Sequence, residues 1–416
     1  MRKVFLKLNF TVLIFVCIGL GAILIRSLHY PNRVNFSTDQ GVFGLRAHEL
    51  WTQKKITLVG PRTSFEYQGK VIFQSSVIFY VYLFFLLLGG FEPIASSYAF
   101  TLFSVGMLIP LGIGLYFLKN EKAAMIGCSL YAFLPFFVNF TSFLWNPNFQ
   151  LAFLPLFILM LGIMHKTGRK VAYLGVGVVL GFLLLFHYQA VLFFLLVLIY
   201  LIAVQRPPLK AYGLVVLGAI FGFSPMILNE FRTNFYMLQT IWTFAHHLPE
   251  LTSTSGGGFA QYYFMGSVFL LLMALSVMLA PKISKRLLTI SMVVLFLVSL
   301  RIYLPAPSHA FGMIKNWNYT HENAVFEIIR NEKLDNFAVA SPTYDTTASV
   351  QYYLLTVNNI SGFTRDYRTN DFLFVVNTTA DFNTNSAYEI HTFTPHTVVK
   401  TWKINTDYYL YLLKRE

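Results

Sequence analysis

The chain has 416 residues, of which 56% are hydrophobic and 12% charged, with a net charge of +13 and a mean hydropathy of +0.58. Soluble domains are about half apolar and a quarter charged, so halving the charge excludes an ordinary soluble enzyme and points to a bilayer. Met1 to Ser308 holds 22 basic and 7 acidic residues and His309 to Glu416 holds 9 and 11, so the positive surplus belongs to the apolar part. There the positive-inside rule accounts for it, and no nucleic-acid partner is implied.

In chain order, apolar stretches long enough to span occur at about 10–28, 94–118, 122–142, 147–164, 171–187, 188–204, 211–228, 263–280 and 287–304. A tenth, 71–89, breaks the alternation of basic loops if it spans. If it lies along or dips into the outer interface, Arg2/Lys3/Lys7, Lys119/Lys122, Lys166/Arg169/Lys170, Arg206/Lys210 and Lys282/Lys285/Arg286 all face one side. Those thirteen basic residues share that side with one acid, Glu121. The expected fold is therefore a polytopic α-helical membrane protein of about nine spans plus juxtamembrane helices, N-terminus inside, in the plasma (cytoplasmic) membrane. The first span starts basic like a signal peptide, but its long apolar run reads as an anchor.

The region 1–308 reads as the transmembrane domain, with two long outer loops at 29–93 and 229–262, the second ending in Ser255-Gly256-Gly257-Gly258. Long loops without an evident packing task are where function tends to sit. From 309 the period changes. Asn323–Glu332 reads as a helix, and Phe337–Ala340, Phe372–Val376, Tyr388–Phe393, Val398–Ile404 and Tyr408–Leu413 read as strands. The segment 309–416 is thus expected to be a small extracytoplasmic α+β domain without a catalytic motif. Cys17 and Cys128 lie in apolar runs and read as small buried hydrophobes, implying neither a disulfide nor a metal site. His246-His247 lacks the carboxylate and spacing of a metal ligand set, so no cofactor and no divalent metal is demanded.

Asp39 is the single aspartate before Ser308, in Asn35-Phe36-Ser37-Thr38-Asp39-Gln40-Gly41 at the start of an expected helix, VFGLRAHELW. One reading makes it an N-cap, with Ser37 and Thr38 as rivals for that post. The other makes it a catalytic general base. When the leaving group is a phosphate, which departs without a proton, only the incoming hydroxyl must be deprotonated, and one carboxylate suffices. Such chemistry needs cations for the phosphate. Outer-side candidates are Arg46, Arg62, Lys70 and Arg232, with Arg62 and Arg232 foremost because each follows a sharp local break; interfacial snorkelling is the bland alternative. Glu49, His187 and Glu230 are further candidate substrate-binding residues, although His187-Tyr188-Gln189 also reads as the turn between two spans.

The order of a basic start, a span, Phe36-Ser37-Thr38-Asp39-Gln40-Gly41, an amphipathic helix and Leu58-Val59-Gly60-Pro61-Arg62-Thr63-Ser64 resembles glycosyltransferase family 39. This group contains the protein O-mannosyltransferases and aminoarabinose transferases, within the membrane GT-C superfamily. Trp145-Asn146-Pro147-Asn148, His187-Tyr188 and Ser224 to Arg232 add to the likeness, which covers roughly the first 235 residues. The resemblance implies an outer first loop with juxtamembrane helices, a catalytic aspartate matching Asp39, and a polyprenyl-phosphate sugar donor. The acceptor would be a hydroxyl on a glycan, lipid or protein, and the reaction would be inverting. Gln74-Ser75-Ser76-Val77 departs from the Gly-Pro and aromatics of many relatives, and Gln40 from the acidic residue that follows in mannosyltransferases. A transporter or flippase of lipid-linked saccharide is the alternative, as is an inactive family member. Internal repeats and charges buried within spans would favour transport.

Overall fold

The computed structural model describes residues 2–67, 69–246, 261–343, 345, 347–382 and 387–416. It divides into two compact units. One comprises Met1–Leu28, Lys55–Val81 and Tyr98–Leu304; the other comprises His29–Lys54, Tyr82–Ser97 and Pro305–Glu416. The second unit therefore does not begin at 309. It takes in most of the first loop as well as the tail.

The first unit is a bundle of apolar helices. Among the described residues, five helices are long and apolar enough to cross a membrane: Pro93–Leu118, Asn146–Thr167, Tyr188–Gln205, Tyr262–Leu279 and Lys285–Tyr303. The pair Leu209–Gly222 and Ser224–Arg232, bent by 62°, makes a sixth if counted as one span. The other three expected spans are represented by shorter pieces. Val12–Ser27 and Lys170–Leu184 are short apolar helices, and 122–142 is divided into Glu121–Phe133 and Pro135–Phe140. That division has a local cause. Leu134 is extended (φ −67°, ψ 125°) because the ring of the following proline disfavours the helical region.

The break leaves a carbonyl without its usual donor, since Pro135 carries no N–H for Tyr131 O. Arg26, from the first helix, supplies one. Its guanidinium donates to Tyr131 O (3.1 Å), Ala132 O (2.7 Å) and Thr141 Oγ1 (3.1 Å) and is 1% exposed. A buried cation thus sits at the negative end of a helix.

Close backbone approach ties other helices together. A Cβ on Gly177 would lie 2.0 Å from Val215 O, and one on Gly181 2.2 Å from Ala219 O. Reciprocally, Gly218 faces Leu174 O at 2.2 Å and Gly222 faces Val178 O at 2.1 Å. Lys170–Leu184 and Leu209–Gly222 thus meet through a GxxxG motif on each helix. Cys128 is buried as expected, whereas Cys17 is exposed on the outer surface of its helix, as lipid-facing positions of a span are.

The segment 71–89 is not one helix. Its first residues belong to strand β2 (Lys70–Ser75), which pairs antiparallel with β1 (Val59–Tyr67), and only Val77–Leu88 is helical. Twelve helical residues extend about 18 Å, short of the roughly 30 Å hydrocarbon core.

In the second unit, strands β3 (Phe337–Ala340), β4 (Phe372–Asn377), β5 (His396–Lys403) and β6 (Tyr409–Arg415) form one sheet in the order β3-β4-β6-β5. β3 and β4 are parallel and the other pairs antiparallel. The expected strand at Tyr388–Phe393 is instead a turn of helix, Tyr388–His391, because its amides bond locally: His391 N to Ala387 O and Thr392 N to Tyr388 O. The helix Tyr319–Glu332 covers the expected one, and a further helix, Ser349–Val357, lies between β3 and β4. Buried Glu322 accepts from Trp317 Nε1 (2.8 Å) and Gln351 Nε2 (2.6 Å), so its charge is hydrogen-bonded on both oxygens.

Candidate active site

Ser37 begins the helix Thr38–Gln53, and Gln40 Oε1 accepts from the Ser37 amide (3.0 Å) and hydroxyl (2.9 Å). This is a capping box with glutamine in the third position. The N-cap reading of Asp39 is therefore overturned. Asp39 is the second residue inside the helix, exposed in its first turn, where the helix amides favour negative charge.

The opposite face of that helix is built for contact. A Cβ on Gly41 would fall 2.6 Å from the Ser349 carbonyl carbon, and one on Gly44 2.6 Å from the Tyr353 ring. No larger residue fits at either place without displacing the helix Ser349–Val357. Phe36 packs on Tyr353 and Tyr319 (ring centroids 5.4 and 6.0 Å), and Tyr82 donates to Gln40 O (3.1 Å).

Beside this helix start lies a carboxylate that sequence reasoning missed. Asp345 is buried; its oxygens accept from Ser349 N (2.8 Å) and Thr347 Oγ1 (2.9 Å), and it also hydrogen-bonds Thr38. Burial raises its pKa above the usual carboxylate value, and its hydrogen bonds pull the other way. No sequence signal marks Asp345, because the N-cap position of the following helix is Ala348, three residues further on. Glu92 likewise sits at a helix start, accepting from Ala95 N (2.5 Å) and from Tyr319 Oη (3.4 Å).

Arg46 and Glu49 lie farther along the Asp39 helix, exposed and paired with each other at 2.5 Å. A surface pair of this kind contributes little to stability.

The remaining candidates belong to the other unit. Arg62, on β1, pairs with Glu66. Lys70, on β2, donates to Thr243 Oγ1 (3.0 Å) on the helix Tyr236–His246. Along the same strand Val71 N donates to Tyr236 Oη (3.0 Å), the Tyr188 hydroxyl donates to Phe73 O, and Asn146 Nδ2 donates to Gln74 Oε1 (2.8 Å). Polar residues from three other parts of the chain thus converge on β2.

Glu230 has a defined structural task. Its carboxylate accepts from Met237 N (3.2 Å) and Leu238 N (2.9 Å), closing the start of Tyr236–His246. His187 Nδ1 accepts from Gln189 N (3.3 Å) while its carbonyl accepts from Gln150 Nε2 (2.8 Å), so the trio forms the turn between two helices. Arg232 is exposed at the end of its helix. His246 ends its helix; His247 and Ser255 to Gly258 lie outside the described residues.

Asp39 thus shares its helix with Arg46 and Glu49, and its unit with Asp345 and Glu92. Lys70, Glu230 and His187 share a second polar cluster. Apolar helices long enough to span, together with a small C-terminal sheet, are the architecture of a multi-pass membrane protein with a small C-terminal domain.

Comparison with known proteins agrees. Residues 74–228 match the family described as dolichyl-phosphate-mannose-protein mannosyltransferase. The fold is similar to ArnT from Cupriavidus metallidurans bound to undecaprenyl phosphate, with a TM-score of 0.53, 12% identity and coverage of 97% of this chain and 98% of that one. It is also similar to ArnT from the same organism in the apo state, with a TM-score of 0.58, 11% identity and coverage of 99% and 98%. No curated protein matches in sequence. The family match covers 155 of the 416 residues, and the likeness to the two solved structures is one of fold.

Proposed function

We infer that this protein moves a sugar from a polyprenyl-phosphate carrier to an acceptor hydroxyl on the outer face of the plasma membrane, with inversion and with Asp39 as general base. The acceptor oxygen bonds to the anomeric carbon, the bond from that carbon to phosphate breaks, and the hydroxyl proton passes to Asp39. Polyprenyl phosphate leaves without needing a proton, so one carboxylate serves.

One observation carries the reading. Ser37 and Gln40 already cap the helix, so Asp39 is not needed for that task, yet its carboxylate stands exposed in the first turn. The donor class is supported by the family match over 74–228 and by the likeness of fold to a protein crystallised with undecaprenyl phosphate. Of the expected cations, Lys70 and Arg232 form no ion pair among the described residues. Arg46 and Arg62 already face carboxylates, which compete with a phosphate for them.

The test is release of polyprenyl phosphate from a panel of synthetic polyprenyl-phosphate hexoses and pentoses, for wild type, Asp39→Asn and Asp39→Ala. Both substitutions should lower turnover by roughly two to four orders of magnitude, the range for loss of a general base. Because Ser37 keeps the cap, neither should shift the melting temperature appreciably. An Asp39→Asn protein of full activity would refute the assignment. Glu49 would then be tested next.

A further inference from the structure

An apolar groove of about 1270 Å³ runs between the first helix and the helical stretch Pro93–Leu118. Val16, Gly19 and Ile23 form one wall, and Val105, Ile109 and Ile113 the other. Space lies open beside two of its glycines, since a Cβ at Gly19 or at Gly106 would meet no atom within 4 Å. At one end Tyr116 and Phe117 line both this groove and a polar hollow of about 350 Å³ shared with Lys119, Asn120, His165 and Lys166.

The ammonium of Lys166 lies 4.6 Å from the Phe117 ring centroid. Neither Lys119 nor Lys166 pairs with a carboxylate among the described residues. His165 is engaged by Tyr200 Oη (2.7 Å) and Gln205 Nε2 (2.9 Å). Glu121 also lines the groove but has an interaction of its own. The two lysines lie in the basic connectors that the charge rule assigns to the cytoplasmic leaflet, whose surface is anionic.

We propose that this groove is a binding site for an anionic phospholipid, its acyl chain lying past Gly19 and Gly106 and its phosphate held between Lys119 and Lys166. The argument is one of complementarity. An apolar slot in a helix bundle is filled by hydrocarbon, and here it adjoins, at Tyr116 and Phe117, a hollow lined by two lysines that form no ion pair among the described residues. A zwitterionic lipid offers the same chains but no net charge. The site is independent of the transferase reading, since it uses none of Asp39, Lys70 or Arg232.

The full chain, purified in mild detergent, is titrated with phosphatidylglycerol and phosphatidylethanolamine of matched acyl chains and followed by native mass spectrometry. Two lysines near a lipid headgroup predict a preference of about 30-fold for phosphatidylglycerol. Lys119→Gln with Lys166→Gln should abolish that preference, and Gly19→Leu or Gly106→Leu should lower retention of both lipids at unchanged melting temperature. Equal retention of the two lipids by wild type would overturn the proposal. So would a preference that survives the lysine substitutions, retention unaffected by the leucines, or displacement of phosphatidylglycerol by an equimolar amount of undecaprenyl phosphate.

Discussion

At the residue scale, Asp39 and Asp345, both in the second unit, differ in their surroundings: Asp39 is exposed and Asp345 buried. Asp39 was legible from its rarity, as the lone aspartate of an apolar region. Asp345 was not, because it sits in a polar tail among many acids, and only packing buries it. Arg26 was hidden in the same way: three of its acceptors, two carbonyls and a hydroxyl, come from residues more than 100 positions away. Asp345 gives a pH prediction with a definite sign. Its folded pKa is raised, so the native state binds more protons than the unfolded chain between the ordinary aspartate value and that raised value. Its contribution to stability is present below that window and is lost as pH rises through it. Asp345→Asn cannot ionise, so the melting temperature of wild type relative to Asp345→Asn should fall as pH rises from about 4 upward. Parallel curves would show that Asp345 is as solvated in the folded chain as in the unfolded one.

At the element scale, the long apolar helices were legible because 18 or more apolar residues carry a strong signal, whereas their breaks depended on single residues. Leu134 before Pro135 and Phe223 before Ser224-Pro225 divide what hydropathy alone reads as continuous. The stretch 71–89 was ambiguous for another reason. Val71-Ile72-Phe73 serves equally in a strand or a helix, and pairing with β1 decided it. The two GxxxG motifs illustrate an element property with a sharp test. At Gly181 the space for a side chain is occupied by Ala219 O, so Gly181→Leu must push the helices apart. It should destabilise the protein by about 1–3 kcal/mol or more, as overpacking does. Gly175→Leu, six residues earlier, meets only the flexible Met160 side chain and should cost much less. Thermal unfolding in detergent, compared for the two variants, measures the difference.

At the scale of the whole molecule, the boundary near 308 separates compositions but not compact units. His29–Lys54 and Tyr82–Ser97 cluster with the tail, through Gly41 on Ser349, Tyr353 Oη to Phe91 O (2.6 Å) and Asn35 Nδ2 to Phe311 O (2.9 Å). Removing 309–416 would therefore strip the buried face of the Asp39 helix, exposing Phe36, Gly41 and Gly44. The truncated chain should still enter the membrane, because its apolar helices remain, but limited proteolysis should cut within 29–54 where the full chain resists. Equal resistance would show that the first loop holds its fold without the tail.

The sequence by itself determined that this is a multi-pass membrane protein, where its long helices lie, the GT-C/GT39 likeness and the one aspartate singled out in the first loop. These follow from composition and from order along the chain, which need no knowledge of contacts. Tertiary structure alone decided that Ser37 rather than Asp39 caps the helix, that Arg46 and Arg62 face carboxylates, and that Glu230 and His187 hold turns. It also decided that a buried Asp345 stands beside Thr38. Hydrogen bonds and burial depend on positions in space to a few tenths of an ångström, and residues 300 apart in sequence become neighbours only when the chain is packed.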